Sequence, residues 1–366
     1  MLTGIDLTGG KNNHAIELID IGNDPRWDVF VAEHPFGWLY HLSSWKKVLE
    51  TSFRHMTGHY LALLGRNREI LAGLPIYEVR SYLTGRRLVS IPFATLSDPL
   101  VTDRQSFTAL FEAVLDQFGR GGKTRIELRT HQALDSIRNN QLACTRFYKH
   151  HFLDLSRGPE ALSKGFHRSC VRQRIARAEK SGLQLRIGEN QTDLRQYYNL
   201  HMRTRKNVGR PTQPYRFFEA LWGNLYPREL LTLLLAEKDG IPVAGMILLH
   251  FKTRVSAEFA ASDERFRNLS PNHFLFWQAI RMAHRKGYAI FDFGRTSPAN
   301  KPLMKFKARW GAEAIDLPHF QYTQKMNEEL SPEADPISYR LMSRICRKAP
   351  DPLQSIIGNF CYRHLG

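Results

Sequence analysis

The chain has 366 residues, more than one ordinary core accommodates, so two domains of roughly 100–200 residues each are expected. Hydrophobic residues make up 42% and aromatics 11%, which excludes a disordered chain. Lys and Arg number 52 against 35 acids; the net charge of +17 favours attraction to RNA, anionic lipid or a phosphate-bearing substrate, a soluble basic protein being the plainer reading.

Four cysteines, Cys144, Cys170, Cys346 and Cys361, form no Cys-x-x-Cys pair. That excludes a zinc knuckle and a disulfide framework and suits a reducing compartment. Asp6, Lys11, Glu17 and Asp20 interrupt the N-terminus, so it has no signal-peptide core, and no apolar run is long enough to span a bilayer. A cytoplasmic protein is expected, with contact at the inner face of the membrane as an extension of that reading.

Taken in chain order, residues 14–155 read as a mixed α/β unit. Trp45 to Phe53 has helical spacing; Tyr60 to Leu64, Glu69 to Tyr77 and Arg87 to Ile91 read as strands. Phe107 to Phe118 repeats its apolar positions as a helix does, and Thr124 to Leu128 is a short strand. Leu155 to Pro159 punctuates the chain, giving domains at 1–155 and 156–330 and a tail at 331–366.

The second unit opens with a helix at 166–181 and a strand at Leu183 to Ile187, followed by helices at Leu194 to Arg203 and Pro214 to Leu225. Leu230 to Glu237 and Val243 to Phe251 form a hairpin turning at Lys238-Asp239-Gly240. A strand at Thr253 to Ala261, a helix at Asn272 to Lys286 and a strand at Ile290 to Phe293 complete it. Both halves share an order of elements, a repeat of type and not of sequence. In the tail, Arg340, Arg344, Arg347 and Lys348 precede an apolar stripe of Leu353, Ile356, Ile357 and Phe360. Such a tail either lies on a membrane surface or packs on its own domain, the second being the ordinary outcome.

Three apparent motifs fail. Gly119 to Thr124 imitates the end of a phosphate loop, but Gln117 stands where the first glycine belongs and Lys-Thr opens a strand. Asp292-Phe293-Gly294 lacks the other kinase segments. His55 and His59 lack the intervening glutamate of a zinc protease, so no metal site is expected.

The stretch Gly287 to Glu313 carries more. Its strand delivers Asp292, Gly294 and Arg295 to one edge, and Lys305, Lys307 and Arg309 then interleave with Phe306 and Trp310. A lysine walled by Phe306 and Trp310 can stabilise a tetrahedral oxyanion, whereas a bare helix lysine is the plain alternative. Asp292, or Asp98 with Asp103, can orient an amine or accept its proton. The helix at 166–181 carries Arg172 and Arg174 among five cations, able to hold phosphate through paired hydrogen bonds. The segment His201 to Pro211 adds Arg205 in a loop.

GYAIFDFGRT followed by MKFKARWGAE resembles the second-domain signature of the FemAB/FemX-like transferases, a branch of the GCN5-related acyltransferases. HRSCVRQRIARAEKSGLQL is similar to that family's Arg-rich helix, the stretch Trp38 to Trp45 to its opening pattern, and IPFATLSDPLVTD to its Gly-Pro segment. The tail ending at Gly366 is similar to a subgroup linked with exopolysaccharide and exosortase systems. The resemblance covers nearly the whole chain. It implies an α/β fold of two tandem GCN5-related acetyltransferase-like domains with mixed sheets. It also implies transfer of an acyl or aminoacyl group to an amine.

On that resemblance Lys307 takes the oxyanion role. Phe306, Trp310, Arg295, Lys305, Asp103, Tyr40, Trp45 and Arg205 are the implied acceptor-side residues, and Arg267, Asn272, Arg172 and Arg174 the donor-side ones. No tightly bound cofactor is implied; aminoacyl-tRNA or acyl-CoA is the co-substrate. The partners implied are tRNA and an amine-bearing envelope or polysaccharide precursor, with peripheral membrane contact and no DNA. Two departures stand out: Asp98-Pro99 replaces Gly-Pro, and Leu49 stands where the family has a lysine, with Lys46 and Lys47 nearby. The stretch Arg265 to Asn272, where acetyl-CoA enzymes carry a Gly-rich turn, contains no glycine, and Pro271 removes one N–H.

Overall fold

The computed structural model describes residues 14–83, 85–119, 125–137, 142–322 and 336–364. These fall into two compact units. The first runs to Phe147 and takes up the chain again from Asp316; the second holds Tyr148–Ile315 and the tail helices as far as Tyr362. The crossing thus lies at 147/148, inside a strand, not at the Gly-Pro turn near 155.

The first unit begins with β1 (Ala15–Leu18), α1 (Arg26–Glu33), α2 (Ser43–Ser52), β2 (Met56–Leu64), β3 (Ile70–Ser81) and β4 (Gly85–Val89). It continues through α3 (Arg104–Phe118), β5 (Ile126–Arg129) and α4 (Leu134–Ile137). β6 (Leu142–Asp154) then carries the chain into the second unit. There α5 (Gly158–Gly165) leads to a wide π-turn, Arg168–Arg172, and α6 (Gln173–Lys180). β7 (Gln184–Gly188), α7 (Gln191–Asn207), α8 (Tyr215–Leu225), β8 (Leu231–Lys238), β9 (Ile241–Phe251) and β10 (Arg254–Ser262) follow. α9 (Pro271–Arg285), β11 (Ile290–Thr296) and α10 (Lys301–Ala308) complete this run. β12 (Glu313–Tyr322) pairs with β5, and α11 (Pro336–Lys348) and α12 (Asp351–Tyr362) form the tail.

The strand order β1-β2-β3-β4-β5-β12 in the first unit repeats as β7-β8-β9-β10-β11-β6 in the second. Each set has one parallel pair, β4 with β5 and β10 with β11, and every other neighbour within the set is antiparallel. A parallel pair needs a crossover, and α3 and α9 supply the two helices. The β8–β9 hairpin turns on Asp239 and Gly240, both at positive φ (53° and 76°), as a tight two-residue turn requires.

Hydrophobic spacing decides what is buried. In the first unit Phe107, Leu110, Phe111 and Val114 of α3 pack on Leu61, Leu74 and Leu88 of the sheet. In the second, Phe274, Leu275, Ala279 and Ile280 of α9 pack on Val243, Leu248 and Phe291.

Three readings need correcting. β6 was not expected; its sequence, LACTRFYKHHFLD, is too polar to alternate cleanly, yet His150 and His151 are both buried. The helix at 166–181 begins with the π-turn, whose entry is set by the His167 side chain accepting from the Cys170 N–H. Arg205 lies on α7 and not in a loop; burial presses it against the Pro211 carbonyl, to which Nε donates at 3.0 Å. The expected turn at 119–124 reaches residues 120–124, which lie outside the described residues, as do 331–335 of the tail.

Candidate active site

Lys307 is the only lysine among the buried polar and charged side chains of the described residues, at 5% exposure. α10 starts where the Asn300 side chain accepts from the Leu303 N–H, with Pro302 in its first turn. That start fixes the helix rotation. Phe306 then meets Phe276 and His273 at ring distances of 5.5 and 5.8 Å, while Lys307 turns to β11. Its Nζ donates to the carbonyls of Gly294 at 2.8 Å and Arg295 at 3.2 Å. Burial pulls its pKa down to about 8, against the opposing pull of Asp292 and Glu258. Two of its three N–H groups are thereby spent.

The carbonyls Lys307 uses are presented by a bulge. Against β6 the register slips between Asp292 and Gly294, and Gly294 takes φ 72°. Asp292 Oδ1 accepts from the Gly294 N–H at 2.6 Å, and Oδ2 meets His150 Nε2 at 2.8 Å and Arg254 at 3.1 Å. Burial at 1% exposure would raise this carboxyl, but His150, Arg254 and the Gly294 N–H outweigh it and hold the pKa low. A carboxylate so satisfied is a poor proton acceptor. The geometry corrects the reading of Asp292 as a base: it holds the bulge.

Beside the bulge, β10 and β11 pair only from Arg254 with Ile290 to Ser256 with Asp292. Beyond those pairs each strand takes its own bulge against its other neighbour. His151, opposite Gly294 on β6, is 1% exposed; burial and the Lys307 charge push its pKa down to about 4. Its Nδ1 has no partner among the described residues. Glu258 of β10 accepts from Ser256 Oγ at 2.6 Å and lies close enough to Lys307 to favour its charge. Arg295 sits half-buried with its guanidinium 5.4 Å from the Tyr148 ring centre.

Sequence reasoning missed His150, His151, Arg254 and Glu258. Only the His150-His151 doublet carried a signal, and it lay in the unrecognised strand.

Other expected site residues are placed differently. Trp310 is fully enclosed, packed with Phe166 at 5.2 Å and Phe276 at 5.7 Å, so it is core and not a substrate contact. In the first unit Tyr40 and Trp45 are each 1% exposed, in T-shaped contact at 4.6 Å, and are likewise core. Asp98 Oδ1 accepts from Thr130 Oγ1 and the N–H groups of His131, Gln132 and Ala133, so it anchors the turn into α4. Asp103 caps α3 by accepting from the Ser106 N–H at 2.8 Å.

On the donor side, Arg172, Arg174 and Arg267 are exposed, and Asn272 donates to Ser262 Oγ at 3.0 Å. Ser270 enters α9 at φ 59°. The N–H groups of His273 and Phe274 are both spent on its carbonyl. With Pro271 lacking an N–H, the helix start is a thin cradle for a pyrophosphate. A cavity of about 350 Å³ opens among Gly165, His167, Lys305, Ala308 and Arg309. Among the described residues no group of three or more His, Cys, Asp or Glu could hold a metal ion.

Residues 165–308 match the family described as an acetyltransferase (GNAT) domain. The structure titled FemX superposes with a TM-score of 0.66 at 16% identity, covering 90% of this chain and 99% of that one. A tandem GNAT protein from the clavulanic acid biosynthesis pathway superposes at 0.53 and 11% identity, covering 86% and 100%. Both likenesses are of fold. The lipid II:glycine glycyltransferase of Staphylococcus saprophyticus is 30% identical over 91 residues, 23% of this chain and 21% of that relative, so the match spans about a fifth of its length.

The fold is that of two GCN5-related acetyltransferase units in tandem. In motifs, fold and these partial matches the chain is similar to the FemAB-like branch of the GCN5-related acyltransferases.

Proposed function

We propose that the second unit transfers an aminoacyl or acyl group onto an amine of a cell-envelope or polysaccharide precursor, with aminoacyl-tRNA as donor, on the cytoplasmic side. The observation that carries this is Lys307: a buried ammonium with two N–H groups fixed on backbone carbonyls and one left for a substrate oxygen. The acceptor amine attacks the ester carbon of the donor. The oxyanion that forms is held by the third N–H of Lys307 in a water-poor setting, where such a bond is worth most. As the carbonyl re-forms, the ester C–O bond breaks and the leaving oxygen takes up the proton the amine gives up. His151, neutral near pH 7 with a pKa of about 4, can orient the amine by accepting a hydrogen bond at Nδ1, but is too weak a base to hold its proton.

Support for the tRNA donor comes from the +17 charge, which predicts binding that weakens steeply with salt, and from the depleted cradle at α9. The test compares charged tRNA with acyl-CoA on wild type and Lys307→Met. Turnover from charged tRNA that is lost in the variant supports the proposal; full turnover without the lysine rules the mechanism out. Micromolar acetyl-CoA binding by calorimetry would instead favour a CoA-dependent N-acetyltransferase acting on a sugar or small amine, a reading that draws on the exposed Arg267 at the start of α9.

A further inference from the structure

The tail helices are assembled inside out. An amphipathic helix of a soluble protein ordinarily buries its apolar stripe. α12 instead buries Gln354 and Gly358, with Tyr362 at its end, and turns Leu353 and Ile356 outward, 44% and 63% exposed. α11 buries Cys346 and exposes Leu341 and Ile345, one turn apart, at 59% and 42%. Contacts within the second unit lock this orientation. Gln354 donates to the Cys346 carbonyl, joining the two helices, and Lys206 of α7 pairs with Asp351 at 3.0 Å. A Cβ on Gly358 would fall 2.0 Å from the Thr212 carbonyl oxygen, so the α12 backbone rests directly on that segment. Rolling the apolar stripe inward would break all three.

Charge says what covers this face. Arg340, Arg344, Arg347 and Lys348 are all exposed on α11, and the one acid across both helices, Asp351, is taken by Lys206. A second copy of the chain would set these cations against each other. We propose that the outward face of α11 and α12 docks on an anionic phospholipid bilayer. The aliphatic side chains enter the headgroup–acyl boundary while the arginines and lysine meet lipid phosphates. This inference stands apart from the transfer reaction, since none of these residues belongs to the Lys307 centre. Among the described residues no helix is long and apolar enough to cross a membrane, so the contact is peripheral.

The test is flotation of the full chain with vesicles of pure phosphatidylcholine or an equimolar mixture with phosphatidylglycerol. Wild type should float with the mixture and not with phosphatidylcholine alone. Leu353→Ser with Ile356→Ser should lower the bound fraction about tenfold, with the thermal midpoint unchanged because both side chains stand in solvent. Arg344→Gln with Arg347→Gln should weaken binding and flatten its salt dependence. Absence of binding to the mixture overturns the proposal. So does equal binding by the serine variant, or sedimentation showing a dimer that depends on Ile356 in a chain that does not float.

Discussion

Asp292 and Lys307 are joined through a single bulged glycine. The carboxylate holds the Gly294 N–H at 2.6 Å, and the carbonyl of that same residue holds the lysine Nζ at 2.8 Å. The acid therefore acts on the lysine twice, by fixing the backbone it binds and by favouring its charge through space. This division of labour between positioning and chemistry underlies the first two predictions.

Turnover should fall as pH rises through about 8. The Lys307 pKa is lowered to about 8 from the ordinary 10.5, and only its ammonium form keeps an N–H beyond the two spent on carbonyls, the one the proposed reaction uses. Glu258 raises that pKa, so Glu258→Gln should move the alkaline limb to lower pH. The pH–rate profiles of the two proteins, measured under single-turnover conditions, decide it. A limb that stays in place would mean that another group titrates.

Gly294→Ala should cost more activity than stability. At φ 72° an L side chain is strained by roughly 1–2 kcal/mol, and relief requires turning the peptide that carries the Lys307 partner. A drop in kcat of about tenfold to a hundredfold, with a thermal midpoint lower by only a few degrees, is expected. Activity that simply tracks the folded fraction would contradict it.

The repeat of element order, the hairpin at Asp239-Gly240 and the α9–β11 run were legible because each has a local cause: helical spacing, a turn needing positive φ, a strand bounded by polar residues. The burial of Lys307 was legible only in part: Phe306 and Trp310 beside it in the sequence pointed to an apolar setting, but its actual partners are the carbonyls of Gly294 and Arg295. β6 was not, because tertiary burial of His150 and His151 runs against their polarity. The roles of Asp98, Tyr40 and Trp45 were not legible either: a motif places a residue type in the chain, and only packing shows whether its polar atoms are already taken.

Asp98 illustrates that last point and gives a prediction. Its Oδ1 gathers four donors, three of them backbone N–H groups of residues 131–133. Asp98→Ala leaves those donors, Thr130 and Ala133 among them buried, without their partner, at a cost of roughly 2–3 kcal/mol. Denaturant unfolding should show that loss, while turnover per folded molecule stays within about twofold of wild type. A selective loss of turnover would return Asp98 to the chemistry.

Acid should destabilise the second unit well above the range where carboxylates titrate. Burial lowers His201 to about 3, helped by the Arg205 charge, and lowers His151, His250 and His273 to about 4. Each is neutral in the folded protein and near 6.5 when unfolded, so the unfolded state binds more protons as pH falls below that value. The stability these groups contribute is fully present above pH 6.5 and is lost progressively as pH falls toward 4. His201 has the clearest structural reason, an Nε2 that bonds Gln213 at 2.9 Å inside an aromatic nest with Tyr197 and Phe218. The thermal midpoint should therefore drop between pH 6.5 and 4, by about 2–4 °C for each kcal/mol of stability lost. His201→Gln should start lower and slope less. A midpoint that holds steady to pH 4 would show that these imidazoles are already protonated in the native state.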